Sequence, residues 1–153
     1  MHDPSPVETW EHLARVHRAA TAAMDEQLRE RFGYSLDDYD VLHQIADHRA
    51  PINMGELASR LLVANSSCNR IVGRLEAAGL VERARSNTDR REVFAVLTAE
   101  GRRLRRRMAA VHTRDIDQLI GDPLTAPQLA QLNSALVAVL AATTDRASAM
   151  GAT

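Results

Sequence analysis

"MGELASRLLVANSSCNRIVGRLEAAGLVERARSNTDRREVFAVLTAEG" (Met54–Gly101) contains two helix signals, two strand signals and the polar breaks that separate them. Asn53, just before it, can cap a short helix with Glu56 at the third position, burying Leu57 and Leu61. "LVA" then interrupts the pattern, and a further helix is expected from about Asn65 to Ala78, stopped by Gly79. "LVERA" and "VFAVL" follow as short apolar segments with β-branched residues on either side of the polar "RSNTDRRE". They read as a hairpin with a long loop.

Two short helices joined by a three-residue turn and followed by a hairpin make a winged helix-turn-helix, whose second helix enters the DNA major groove. The periodicity of Asn65 to Ala78 agrees. Cys68, Ile71, Val72 and Leu75 share one face, and Ser66, Ser67, Arg70, Gly73 and Arg74 the other, so hydroxyls and arginines point outward without an acid. Charge points the same way. The net charge is only −1, but the segment from Arg60 to Arg107 holds twelve arginines and five acids, a surplus of seven positive charges. A phosphate backbone responds to that local surplus rather than to the total.

Outward from this stretch, Ser5-Pro6-Val7-Glu8 is a capping box with proline at the first helical position. A long helix should follow, carrying Trp10, Leu13, His17, Ala20, Met24 and Leu28 as a narrow stripe until Gly33. A stripe about six turns long exceeds what a small domain can cover, so a partner helix is expected. Ser35 can cap a second helix to about Asp47 with Leu36, Tyr39, Leu42 and Ile45 on one face, and "HRAPIN" breaks it. Thr98 should cap a fifth helix from Ala99 to about Leu119, ended by "GDP". Thr125-Ala126-Pro127-Gln128 is a second full capping box, opening a sixth helix through Leu129, Leu132, Leu136, Val139 and Leu140.

The 153 residues are 45% hydrophobic, enough for a globular core. All 19 basic residues are arginine, and the absence of lysine removes Schiff-base chemistry, a P-loop lysine and Ser-Lys catalysis. No Ser-His-Asp motif, Gly-rich phosphate loop or dinucleotide fingerprint is present, so an enzyme or carrier is disfavoured and no cofactor is expected. No secretory signal and no transmembrane run are visible, which makes a cytoplasmic location without membrane association the expectation.

Met54–Gly101 closely resembles the core of the MarR family of bacterial transcriptional regulators. The S-x-x-x-R-x-x-x-R-L-E-x-x-G-L pattern runs from Ser66 to Leu80, and D-x-R…L-T-x-x-G from Asp89 to Gly101. The flanking helices fit the family's order. The resemblance implies a mainly α fold with a small β-hairpin wing: a dimerisation helix at 1–33, the winged helix-turn-helix at 34–101, C-terminal dimerisation helices at 102–147 and a tail at 148–153. It implies an intertwined homodimer on a pseudo-palindromic operator in double-stranded DNA, most simply a repressor released by a small-molecule effector. Ser66, Ser67, Asn69, Arg70 and Arg74 match positions that meet bases or phosphates. Asp89 and Arg91 match the wing motif, with Arg90 beside them, where an arginine can reach into a narrow minor groove. Anionic or aromatic effectors are common in the family, and Trp10, Arg15, His17 and Arg18 could offer an aromatic wall and an arginine fork; a plain helix surface or dimer contact is their other reading.

Two sensing alternatives stay within this fold. Cys68 would serve an oxidant sensor, yet it lies in the apolar register, where a thiol behaves as a small hydrophobe. Asp40 and His43, with His112, could meet at a metal, but no H-x-x-x-H or C-x-x-C pair exists and no metal site is expected. A protein-interaction module without DNA is a third alternative, against which Arg70, Arg74, Asp89 and Arg91 weigh.

Overall fold

The computed structural model describes residues 3–48, 50–85 and 92–150, with 145–150 described by backbone alone. The elements are α1 (Pro6–Phe32), α2 (Leu36–Asp47), β1 (Ile52–Asn53), α3 (Met54–Arg60), α4 (Asn65–Ala77), β2 (Val81–Arg85), β3 (Val93–Leu97), α5 (Ala99–Ile116) and α6 (Ala126–Met150). The chain divides into two compact units, Met1–Thr113 and Arg114–Thr153. Among the described residues no single helix is long and apolar enough to cross a membrane.

Local chemistry sets the helix ends. The Ser5 hydroxyl accepts from the Glu8 N–H at 3.2 Å while the Glu8 carboxylate accepts from the Ser5 N–H at 2.8 Å. At its other end α1 stops at Gly33 in the left-handed region (φ 76°), whose N–H donates to the Arg29 carbonyl at 2.8 Å. Asp25 ties that end to the next helix: one carboxylate oxygen takes the Arg29 Nε–H at 2.6 Å, the other the Leu36 N–H at 2.8 Å. Partial burial alone would raise the Asp25 pKa, but these hydrogen bonds outweigh it and hold the carboxyl below its ordinary value.

In the first unit Leu28, Val41, Leu42, Ile52, Leu57, Val72, Leu75 and Met108 are fully buried and form one core with β3 and the first half of α5. Of the α1 stripe only Met24 and Leu28 are buried, and Leu28 joins this core. Trp10, Leu13 and Val16 are exposed, as the excess length of the helix required. The sheet corrects one expectation. It has three strands in the order β1-β3-β2, because "HRAPIN" both breaks α2 and supplies β1, with Ile52 paired to Ala95 and Asn53 to Phe94. Two residues are too short to show an alternating pattern, so this strand exists only through its partner.

β2 and β3 pair from Val81↔Leu97 to Arg85↔Val93. Their base, the end opposite the connecting loop, is bolted to α5. The Thr98 hydroxyl donates to the Gly79 carbonyl at 2.8 Å and accepts from the Gly101 N–H at 3.0 Å, acting as the expected N-cap. Gly101 lies so close to the chain that a Cβ would fall 2.0 Å from the Leu80 carbonyl oxygen.

Two further expectations change. α5 keeps α-helical bonding only to Ile116, after which Asp117–Gly121 widens into a π-helical turn closed by the Asp122 N–H on the Asp117 carbonyl at 2.7 Å. At the start of α6, the Gln128 side-chain oxygen accepts from both the Thr125 N–H (2.9 Å) and the Thr125 hydroxyl (2.8 Å). The glutamine half of the box read from the sequence is thus formed, while among the described residues the Thr125 hydroxyl does not accept from the Gln128 N–H as Ser35 does from Asp38. In the second unit Leu129, Leu132, Leu136 and Leu140 of α6 are all exposed.

Gly101→Ala should lower stability by about 3 kcal/mol or more, because either α5 or the β2 entry must move. The measurement is the urea midpoint at unchanged slope, and an unaltered midpoint would contradict the close approach.

Candidate nucleic-acid interface

α4 is held by its inner face and by both neighbours. Cys68, Ile71, Val72 and Leu75 are buried, so the helix is seated on the core along its whole length. Ser66, Asn69, Arg70 and Arg74 are exposed on the other side, while Ser67 and Gly73 are half-buried at the flanks. The Asn69 side-chain amide donates to the Asn65 carbonyl at 2.9 Å, one turn back. Arg70 has no hydrogen-bonding or ionic partner among the described residues. Ala64 at the N-cap supplies no side-chain bond, and no acid sits in the first turn. The free N–H groups at the start of α4, with the positive end of the helix dipole, can therefore face a phosphate.

Arg74 has a second engagement that sequence periodicity could not show. Its Nη2 meets Asp38 Oδ1 at 2.5 Å, and the Asp38 side chain is 5% exposed while that of Arg74 is 47% exposed. Asp38 also closes the N-terminal box of α2: its other oxygen accepts from the Ser35 N–H and hydroxyl, each at 2.8 Å, and its own N–H donates to the Ser35 hydroxyl at 3.1 Å. Arg74 thereby anchors α4 to α2 and leaves part of its guanidinium open to solvent.

Arg83 was not among the residues singled out from the sequence. From β2 its Nη2 donates to the Asn69 carbonyl at 3.0 Å and its Nε lies 3.5 Å from a Glu76 carboxylate oxygen. It crosses α4 at Gly73, where a Cβ would stand 3.8 Å from its Nη2. The wing strand is thus stitched to the groove-facing helix. A sequence signal existed in the arginine on β2 and the acid on α4, but only the hairpin register brings them together.

Asp89, Arg90 and Arg91 lie outside the described residues. On α1, Trp10, His17 and Arg18 line a shallow cleft of about 470 Å³ with Leu13 and Ala14, and Arg15 is not part of it. Burial raises the Cys68 thiol above its ordinary pKa, only partly offset by the Arg83 charge, which disfavours the thiolate that oxidant sensing needs. Around Tyr39, His43 stacks at 5.7 Å and His112 tilts at 4.7 Å between ring centroids, and burial raises the Asp40 carboxyl against the opposing effect of His112. Among the described residues no three His, Cys, Asp or Glu side chains are placed to hold a metal ion.

The sequence model of the MarR family matches residues 32–92, the span that holds α2, β1, α3, α4 and β2. An HTH-type transcriptional repressor of Mycobacterium bovis is 34% identical over 96 residues, covering 63% of this chain and 68% of the relative. The chain belongs to the MarR family. Its fold agrees with solved MarR family transcriptional regulators of Streptomyces coelicolor. AbsC superposes with a TM-score of 0.83 at 26% identity, over 95% of this chain and 99% of AbsC. Sco3205, solved in complex with DNA, gives a TM-score of 0.81 at 29% identity over 92% of this chain and 89% of its own. In the winged-helix fold of this MarR family regulator α4 is the second helix of the helix-turn-helix and β2–β3 the strands of the wing.

Arg74→Ala leaves Asp38 buried with only its Ser35 bonds, and stability should fall by about 1–3 kcal/mol, moderated because the arginine is half-exposed. Equal denaturation midpoints for Arg74→Ala and wild type would show that the pair carries no stability.

Proposed function

We propose that this MarR family regulator is a homodimeric repressor that binds a pseudo-palindromic operator in the cytoplasm and is released by a small anionic or aromatic effector. The observation that carries the reading is the outward face of α4: exposed Ser66, Asn69 and Arg70, half-open Arg74, an uncapped N-terminus and no acid in its first turn. Arg70 and Arg74 can hold guanine edges or phosphates, Asn69 an adenine, and Ser66 and Ser67 the backbone. On the wing Arg91 reaches into the minor groove with Asp89 as its buttress and Arg90 as the neighbouring charge.

Residues 1–33 and 102–147 are the dimerisation elements. Support comes from the exposed Val7, Trp10, Leu13 and Val16 on α1 and the exposed leucines of α6, a set of apolar side chains that a single chain leaves in water. The effector lies against Trp10, His17 and Arg18, with Arg15 on the neighbouring face of α1. An effector that binds better to a dimer with the wrong helix spacing shifts the population away from the operator-bound form.

Binding to genomic fragments retained by the purified protein tests this directly. Operator affinity should fall steeply with salt, with a log–log slope of several units, and a salt-independent affinity would sink the proposal. Arg70→Ala and Arg91→Ala should each weaken operator binding by about 1–3 kcal/mol in a gel-shift titration without altering the dimer. Deleting residues 1–33 should yield monomeric or insoluble protein by size-exclusion chromatography, whereas a well-folded dimer after truncation would refute the assignment.

A further inference from the structure

Polar bonds hold α4 to its neighbours on two different sides. Toward its C-terminal half Arg74 pairs with Asp38 of α2. A helix on an apolar seat, pinned by one directional contact, can still pivot about it. Ser66 lies eight residues before Arg74, about 12 Å along the axis, so a pivot of about 10° would carry it about 2 Å sideways. Base readout fails at that displacement, because a hydrogen bond is lost over less than about 1 Å. The N-terminus of α4 has no side-chain cap to steady it, since Ala64 supplies none.

The second contact is at Gly73, where Arg83 of β2 crosses. A helical carbonyl points toward the C-terminus and a side chain leans toward the N-terminus, so the Asn69 carbonyl and the Glu76 carboxylate converge over Gly73. The Arg83 guanidinium occupies that point: Nη2 donates to the Asn69 carbonyl at 3.0 Å, and Nε lies 3.5 Å from the Glu76 carboxylate oxygen. Glycine in a helix interior is destabilising, and here it clears a seat. A Cβ at Gly73 would already touch Nη2 at 3.8 Å, and a longer side chain would compete for the guanidinium's place. The Arg83 side chain is only 29% exposed, and Glu92 lines the same shallow cleft. With Glu76 bound and Glu92 beside it, this guanidinium is a poor phosphate contact compared with the exposed Arg70.

We propose that Arg83 is a positioning residue for operator recognition: it fixes the tilt of α4 against the wing, so that discrimination between operator and other DNA depends on it while general attraction to DNA does not. The inference rests on the reading of α4 as the operator-binding helix. Arg74 removes one freedom of α4 and Arg83, from another side and nearer the base-reading end, removes the pivot that remains. The planar fork of arginine is what the place requires, since one nitrogen bonds a carbonyl while another faces a carboxylate. A lysine ammonium carries the same charge but does not reproduce that pair.

The test compares Arg83→Ala and Arg83→Lys with the wild-type full-length chain, well below each denaturation midpoint. Affinity is measured across a salt series for a genomic fragment that the wild-type protein retains and for a poly(dI-dC) duplex of the same length. Both variants should lose about tenfold in the ratio of the two affinities, with poly(dI-dC) binding and its salt slope unchanged. Without DNA, amide exchange over Asn69–Arg74 should quicken about tenfold in Arg83→Lys while that of α5 stays the same. A phosphate contact behaves differently: Arg83→Ala would lose about one unit of salt slope on both duplexes, and Arg83→Lys would recover it. That pattern, equal weakening on both duplexes, an unchanged ratio, or unaltered exchange in α4 would each overturn the proposal. The exchange measurement needs no DNA, so a wild-type protein that retains no genomic fragment counts against the operator reading and leaves the brace to be decided by exchange.

Discussion

The buried carboxylate of Asp38 holds the DNA-facing half of the molecule together. It completes the N-terminal box of α2 through Ser35 and pairs with Arg74 on α4 at 2.5 Å, so the helix that supports and the helix that recognises share one group. A charge this far from water demands compensation. Ser35 supplies neutral donors and Arg74 the cation, which orients α4 about its own axis. The apolar contacts of Ile71, Val72 and Leu75 seat the helix on the core, but greasy contacts alone tolerate rotation and sliding. A directional ion pair does not.

The wing is positioned by a similar combination of local and distant contacts. At its base Thr98 and Gly101 bring α5 against the Leu80 carbonyl, an approach possible only without a Cβ. Along its outer strand Arg83 reaches across Gly73 to the Asn69 carbonyl and to Glu76. Arg83 therefore ties α4 to strand β2 of the wing. α5 carries the chain onward from the Thr98 cap, so packing against its first turns bears on the pitch of the sheet.

Much of this was legible in the chain. Ser5, Ser35, Asn53 and Thr98 each announce a helix start, since a cap is a conversation between residues three apart. The buried face of α4 was equally readable, as was the excess length of α1, because both follow from periodicity. Other features were not. β1 is two residues long and exists only beside β3, and Asp38 looks like one more surface acid until Arg74, 36 positions away, is folded against it. Arg83 reads as an ordinary strand arginine until the hairpin register lays it over Gly73. At Thr125 the box was a fair expectation from residue types, but only its glutamine half forms, and spacing does not say which of the two bonds is made.

The sequence by itself determined the element order, the helix-turn-helix with its wing, the surplus of arginine around them and the family to which they belong. Those properties arise from interactions within a few residues, which any chain displays in its spacing. The tertiary structure alone decided which arginines are committed and which remain open. Arg74 is bound to Asp38 and Arg83 to α4, while Arg70 faces solvent and the Arg105 Nε is buried without a hydrogen-bond partner among the described residues. An arginine's role depends on what lies within hydrogen-bonding reach of its long side chain. For most of these that is set by segments far apart in the chain and brought together only by the packed core.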